Sequence, residues 1–412
     1  MSKLEELLKK HCPNGAEYKA LSDLGSFYAG LNGKNKDDFK DGNAKYITYM
    51  NVFSNLSVNI NINDTVQIGE KEKQNIVKYG DVIFTGSSET IEECGMSSVV
   101  TNELNEKLYL NSFCFGFRFN EPEIMLPDFS KYLFRSTELR KKIIKTASGV
   151  TRFNVSKKKM EKILIPLPPI EVQKEIVGIL DTFTKYQDLL NRELELRKKQ
   201  YEYYRDKLLT FGHEVEKIQL KDLFYTKNGY TPSKSNPEFW DSKDVSWFRM
   251  EDIRENGRIL NEAIQKVSFS AIKGNVFPKN SIIVSTSATI GEHALITCES
   301  LANQRFTYLI LKDEYKDKFN IFFLFYYCYK LKEYCLNCLN QGNFASVDMT
   351  KFNKFEFPII SLKEQERIVN ILDKFDALCN DITKGLPAEI ELRKKQYEYY
   401  RDKLLTFKEK KK

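Results

Sequence analysis

Glu195-Leu-Arg-Lys-Lys-Gln-Tyr-Glu-Tyr-Tyr-Arg-Asp-Lys-Leu-Leu-Thr-Phe211 recurs, letter for letter, from Glu391 to Phe407. Seventeen identical residues in a row are an internal repeat, so the chain is two halves, each closing on the same segment. The repeat extends upstream in weaker form. Gln173-Lys-Glu-Ile-Val-Gly-Ile-Leu-Asp181 parallels Gln365-Glu-Arg-Ile-Val-Asn-Ile-Leu-Asp373, and Ile165-Pro166 parallels Phe357-Pro358. Steps of four and three from Ile176 give Ile176, Leu180, Phe183, Gln187, Leu190, Leu194, Arg197, Tyr201, Tyr204 and Leu208. Eight of these ten are apolar or aromatic, which is a seam of the coiled-coil kind. The second seam runs through Ile368, Leu372, Phe375, Cys379 and Ile382. It takes a four-residue insertion around Lys384-Gly385-Leu386-Pro387, a stutter, and resumes at Ile390, Arg393, Tyr397, Tyr400 and Leu404. Gly385 and Pro387 predict a break or kink there.

The helix starts are also legible. Ser361-Leu-Lys-Glu364 is a capping box, and Pro169 sits where a first-turn proline is tolerated. A helix from near Ile170 to Leu209 spans roughly 60 Å. Two such helices packed on each other give the chain a pseudo-two-fold axis. The alternative is two helices that share ancestry only and face different neighbours.

The 412 residues support two or three domains with real cores. Lys and Arg number 64 against 57 Asp and Glu, a net charge of +7 that is compatible with a polyanionic partner. Eight cysteines are scattered without a framework, and Met1-Ser-Lys-Leu-Glu-Glu6 does not read as a signal peptide. The most apolar run, Ile321 to Tyr329, is too short for a bilayer. These features point to a soluble, cytoplasmic protein of a reducing compartment with no membrane partner.

In chain order, residues 1–17 read as a charged N-terminal helical segment ending in a turn at Pro13-Asn-Gly15. Residues 18–166 form a first globular domain, 167–212 a long spacer helix, 213–358 a second globular domain and 359–412 a second long spacer helix. Short runs such as Lys45–Tyr49, Asp81–Thr85 and Cys114–Phe119, separated by Gly- and Asn-rich turns, predict a compact sheet domain with a few helices. The second globular part mirrors the first. Leu21–Leu24 corresponds to Leu220–Leu223, Gly80–Ser88 to Asn280–Ala288, Leu110–Phe113 to Ala302–Phe306, and Gly149–Val155 to Gly342–Val347. The helices share sequence outright while the globular parts differ almost everywhere. Identical helices imply one partner surface presented twice, and divergent domains imply two different things being read.

No constellation for catalysis is present. His11, His213 and His293 are isolated, and Cys335-Leu-Asn-Cys338 is a lone pair in an apolar helical context. Gly30-x-x-Gly33-Lys34-Asn35 lacks the spacing and the Ser/Thr of a phosphate loop. Glu17-Tyr-Lys19 and Glu314-Tyr-Lys316 lack the upstream acidic partner of a nuclease motif. No catalytic residue and no metal site is expected.

The repeated Arg-Lys-Lys-Gln-Tyr-Glu-Tyr-Tyr-Arg-Asp-Lys-Leu-Leu segment, the Pro…Gln…Ile-Val…Leu-Asp helix starts, and Gly229-Tyr-Thr-Pro-Ser233 with Trp240 and Trp247 resemble the DNA specificity (S) subunit of type I restriction–modification systems. Gly30-Leu-Asn-Gly-Lys34, Asp38-Phe39 and Lys45–Tyr49 are similar to a recognition-domain variant of that family. One departure is Val172 before Gln173, where the family often has Glu. The resemblance covers essentially the whole chain. It implies an α+β fold of two mixed α/β target-recognition domains separated by two long antiparallel, coiled-coil-like helices. It implies a non-catalytic reader of double-stranded DNA, each domain taking one half of a bipartite asymmetric site. The helices would set the gap and dock two DNA adenine methyltransferase subunits, and through them the motor–nuclease subunits. No cofactor is implied for this chain; its partners would use S-adenosylmethionine, ATP and Mg. A helical scaffold with two protein-binding domains is the alternative.

Base edges are read by bidentate polar side chains, and phosphates are held by Lys, Arg and backbone amides. Candidates in the mirrored loops are Lys34, Lys36, Lys45, Ser87, Ser88, Thr151, Arg152 and Asn154, then Lys234, Arg249, Ser285, Ser287, Gln304, Arg305 and Asn343. Tyr201 and Tyr204 fall on the seam and read as packing residues. Arg197, Lys198, Tyr203 and Arg205, with their copies Arg393, Lys394, Tyr399 and Arg401, read as a partner-docking surface, against the plainer reading of a solvated charged face.

Overall fold

A computed structural model describes residues 3–340, 345–381 and 384–410. The chain divides into two compact units, Met1–Leu189 with Ile390–Lys412, and Leu190–Glu389.

In the first unit an antiparallel sheet runs in the order Gly25–Ala29, Cys114–Phe119, Val82–Thr85, Ser97–Val99. Beside it, Ala44–Ile47 pairs parallel with Leu108–Leu110 and antiparallel with Thr65–Val66. The Val82–Thr85 strand is buried along its whole length, as a short apolar run between turn glycines requires. Gly116 is fixed by packing, since a Cβ there would lie 2.0 Å from the Tyr28 ring. That ring carries its hydroxyl to the buried Asp81 at 2.6 Å, and Arg118 grips the same carboxylate with Nε at 2.8 Å and Nη2 at 2.7 Å. The bidentate pair compensates a charge that burial would otherwise make costly.

The second unit repeats the plan. Its sheet runs Phe224–Asn228, Phe306–Leu311, Ser281–Ser285, His293–Ile296 and adds an edge strand, Ile259–Leu260. Val245–Phe248 pairs parallel with Ser300–Ala302 and antiparallel with Lys266–Val267. Leu21–Leu24 and Leu220–Leu223 are matching one-turn helices with buried leucines. A two-stranded ribbon leads to the helical layer in each unit: Glu17–Ala20 with Leu164–Leu167, and Lys217–Gln219 with Glu356–Pro358.

One uninterrupted helix, Ile170–Leu208, begins in the first unit and ends in the second. The other helical stretch is broken as Gly385 and Pro387 foretold, into Leu362–Asn380 and Leu386–Leu405. Within each unit one repeat copy packs antiparallel on the helix that leaves the globular part. In the first unit Phe183 stacks on Tyr400 at 5.5 Å and Arg393 lies 5.5 Å over Tyr186. In the second, Phe375 stacks on Tyr204 at 5.7 Å. The seam tyrosines Tyr201 and Tyr397 are 5% and 8% exposed, core residues as their spacing requires. The first unit is therefore completed by the end of the chain: Ala16 N–H donates to Lys408 O at 2.8 Å and the Tyr18 hydroxyl to Phe407 O at 2.9 Å.

A fully buried glutamine locks each junction. Gln173 accepts from Leu126 N–H at 2.8 Å and donates to Ile124 O and Pro168 O at 2.9 and 2.8 Å. Gln365 accepts from Asn320 N–H at 2.7 Å and donates to Lys318 O and Ile360 O at 3.0 and 2.9 Å. About two turns further along each helix, Tyr132 donates to Asp181 and Tyr326 to Asp373, each at 2.6 Å. Replacing Gln365 with Ala strands three backbone groups at the junction, Asn320 N–H, Lys318 O and Ile360 O. The expected loss is on the order of 2–4 kcal/mol, read as faster amide exchange at Asn320 and its neighbours with the amide of Leu126 unaffected.

Candidate functional site

In the first unit the structure gathers five of the candidates. Ser87–Ser88 pairs with Phe153–Val155, which pairs with Ala147–Ser148. The hairpin between the last two passes through Gly149, whose φ of 149° and whose approach to Arg152 O exclude a side chain. Arg152 Nε donates to Ser87 Oγ at 3.1 Å, and its guanidinium lies 5.3 Å over the exposed ring of Phe113. Thr151 and Asn154 are exposed on the same hairpin, while Ser87 and Ser88 are buried under it. The lysines lie apart from this group. Lys34 is paired to Glu72 at 2.5 Å and to Gln67 O at 2.6 Å, and holds the Glu72 carboxyl down to about 2. Lys45 is paired to Glu106 at 2.7 Å. Lys36 is exposed at the start of a single 3-10 turn, Lys36–Phe39.

In the second unit Lys234, Arg249, Gln304 and Arg305 line one cleft of about 870 Å³. Its wall is Trp240 against Trp247, rings edge-on at 5.0 Å, each indole N–H tied to a backbone carbonyl, of Ser233 and Tyr230 respectively. Arg249 Nε is buried and has no hydrogen-bond partner among the described residues, with Glu251 at 3.5 Å as its nearest carboxylate. The Arg249 backbone is pinned by the buried Asp252, which accepts its N–H at 2.6 Å and that of Ile264 at 2.7 Å. Arg305 is exposed on a turn that Asn303 closes by accepting the Arg305 N–H at 2.9 Å. Gln304 is held by the Thr231 hydroxyl. Ser285 is buried and donates to Ser287 O at 2.9 Å, behind the cleft edge formed by Ala288 and Thr289. Asn343 and Gly342 lie outside the described residues. The candidates read from the sequence leave out Thr231, Gln265 and Arg254 on the cleft wall; the signals near them were the Gly229–Ser233 segment, which contains Thr231, and the tryptophan pair.

On the repeat, Tyr203 and Tyr399 are 61% and 62% exposed, and Lys198 and Lys394, five residues earlier on the same helices, are exposed as well. Arg205 and Arg401 turn inward instead. Arg205 covers Tyr329 at 4.2 Å, and Arg401 donates to Thr137 Oγ1 at 3.0 Å. Arg197 and Arg393 are bonded along their own helices to Gln200 and Gln396, at 2.9 and 2.8 Å.

Residues 13–197 and 212–392 match the family described as the type I restriction modification DNA specificity domain. The EcoprrI specificity subunit of Escherichia coli is 56% identical over 214 residues, covering 50% of this chain and 53% of that subunit. The EcoR124I/EcoR124II specificity subunit of the same organism is 38% identical over 271 residues, 61% of this chain and 65% of that subunit. A putative specificity subunit of Haemophilus influenzae is 33% identical over 274 residues, 63% of this chain and 68% of its own. The chain thus spans between 53% and 68% of the length of these relatives. A solved chain from a type I R-M system has a TM-score of 0.68 at 17% identity, over 95% of this chain and 98% of its own. The HsdS subunit of Thermoanaerobacter tengcongensis gives 0.53 at 17%, over 95% and 97%. These two share the fold.

Among the described residues, no helix is long and apolar enough to cross a membrane. His11 and His213 are exposed, whereas Cys335 and His293 are buried. Burial pushes the Cys335 thiol up to about 12. His293 is wholly buried against Phe325 and Tyr329, its Nε2 unpartnered among the described residues, and burial with Arg258 nearby lowers its ring to about 3. Unfolded, the ring titrates near 6.5, so between about 3 and 6.5 only the unfolded chain takes up the proton. Stability from this site is full above pH 6.5 and falls as the pH drops through that window, by at most about 1.4 kcal/mol per pH unit. His293→Phe should flatten the acid side of the stability profile; profiles that stay parallel would remove the buried histidine as its cause.

Proposed function

Because the chain belongs to the type I restriction–modification DNA specificity family, we propose that it is the sequence-reading component of such a complex. Each unit reads one half of a bipartite, asymmetric site in double-stranded DNA. The chain itself is non-catalytic and works in the cytoplasm. S-adenosylmethionine, ATP and Mg belong to its partners: two adenine methyltransferase subunits and, through them, the motor–nuclease subunits. The exposed Tyr203, Lys198, Tyr399 and Lys394 supply the methyltransferase-docking surface, and the length of the uninterrupted Ile170–Leu208 helix sets the gap between half-sites.

The observation that carries this reading is the second unit's cleft. Four side chains suited to nucleic acid converge there on a tryptophan-walled floor, at the same end of the sheet as the Arg152 hairpin in the first unit. A guanidinium forks onto guanine O6 and N7, and a glutamine amide onto adenine N6 and N7. Arg249 and Arg305 are assigned the first role, Gln304 the second, and Lys234 a phosphate. In the first unit Arg152 takes the base-reading role with Thr151 and Asn154.

Equilibrium binding of the full chain with its methyltransferase to a randomised duplex library, at two salt concentrations, tests the reading. Arg305→Ala should cost about 1–3 kcal/mol and relax one position of one half-site, whereas Lys234→Ala should weaken binding uniformly and lower the salt slope by about 1. Binding without sequence preference or salt dependence would favour the protein-binding scaffold instead.

A further inference from the structure

The two units differ in one respect that their shared plan makes visible. In the second unit, a groove of about 640 Å³ opens between the end of the repeat and the helix Leu362–Asn380. It is lined by Gln200, Tyr204, Leu208 and Phe211 on one side and by Ile371 and Phe375 on the other, with Lys207, Glu364 and Arg367 on the rim. In the first unit the corresponding residues are Gln396, Tyr400, Leu404 and Phe407, identical in type, facing Ile179 and Phe183, with Glu175 in the place of Arg367. There the N-terminal helix Lys3–His11 lies across the site. Its Leu4, Leu7 and Leu8 pack on the core cluster that Phe183, Leu404 and Phe407 also join, Lys3 pairs with Glu175 at 2.5 Å, and the chain then leaves past Lys408. Among its described residues the second unit has no such segment. Its chain runs from Phe211 to the strand Lys217–Gln219 in a few residues.

We propose that the open groove of the second unit is a docking site for one amphipathic helix of a partner chain, the counterpart of Lys3–His11. The apolar requirement follows from the identical walls: leucine-like residues at i, i+3 and i+4, the spacing that puts Leu4, Leu7 and Leu8 on one helix face. The charge requirement is inverted. Where Lys3 meets Glu175, the incoming helix meets Arg367, which Glu364 already holds at 2.7 Å, and Lys207 leaves the rim net positive. The helix that fits therefore carries Asp or Glu at the position of Lys3. This discriminates against the N-terminal helix of a second copy of the chain. The proposal rests on the internal symmetry and stands whether or not the units read DNA.

The probes are two dye-labelled peptides spanning residues 2–12, one with the natural sequence and one with Lys3→Glu, titrated into the full chain by fluorescence anisotropy. The Lys3→Glu peptide should bind about two- to five-fold more tightly, the range of one exposed ion pair. Ile371→Arg, a change at a partly exposed wall position, should abolish that binding, and Arg367→Glu should reverse the preference between the peptides. Equal or tighter binding of the natural peptide would hand the groove to a second copy of the chain and overturn the proposal. So would Lys3→Glu binding that survives Ile371→Arg, or no binding of either peptide.

Discussion

Burial of one aromatic stripe, carried out twice, is the interaction on which this molecule depends. Tyr201 and Tyr397 are core residues, and Tyr204 and Tyr400 stack on Phe375 and Phe183. An amphipathic helix of this composition has no stability alone and needs a partner face. Each unit provides that face with the helix that leaves its own globular part. The consequence is topological: the first unit cannot close until the last residues of the chain arrive, and Tyr18, Ala16 and Phe407 fasten them there. The tyrosines cannot be traded for aliphatic residues without losing the stacked rings, and the neighbouring arginines cover those rings from outside.

Around this constant base the globular parts are free to diverge. Gln173 and Gln365 join the helical layer to the sheet domain through backbone groups, so the lock works whatever side chains surround it. The order of the four shared strands of the main sheet, and the one parallel and one antiparallel pairing of the smaller sheet beside it, are kept. The loops at the strand ends carry the differences: a hairpin with Arg152 over Phe113 in one unit, a tryptophan-walled cleft with three arginines in the other. Loops presented by a rigid scaffold are where recognition belongs.

The helical layer was legible because periodicity and duplication are local properties. The seam, the glycine–proline break and the mirrored strand segments could all be read from residue types and spacing. The state of individual polar side chains was not, because it is set by partners far along the chain. Lys34 resembles a phosphate-binding lysine until Glu72 is found beside it, and Arg205 and Arg401 belong to an exposed charged face until the fold turns them onto Tyr329 and Thr137. That Arg249 Nε is buried with no hydrogen-bond partner among the described residues depends on how the Trp247 strand meets the following helix, which no pattern of spacing reveals. The open groove of the second unit was invisible for a different reason: it exists only by comparison with the covered one.

The central claim is that two equivalent units read two different half-sites at a spacing the helices fix. Single-molecule mapping of adenine methylation, in cells carrying this chain with the proposed methyltransferase partner and in cells lacking the chain, addresses it most directly. The account predicts two short specified blocks around a gap of constant length, lost when the chain is deleted. A single contiguous motif, a gap of variable length, or methylation unchanged by the deletion would contradict it.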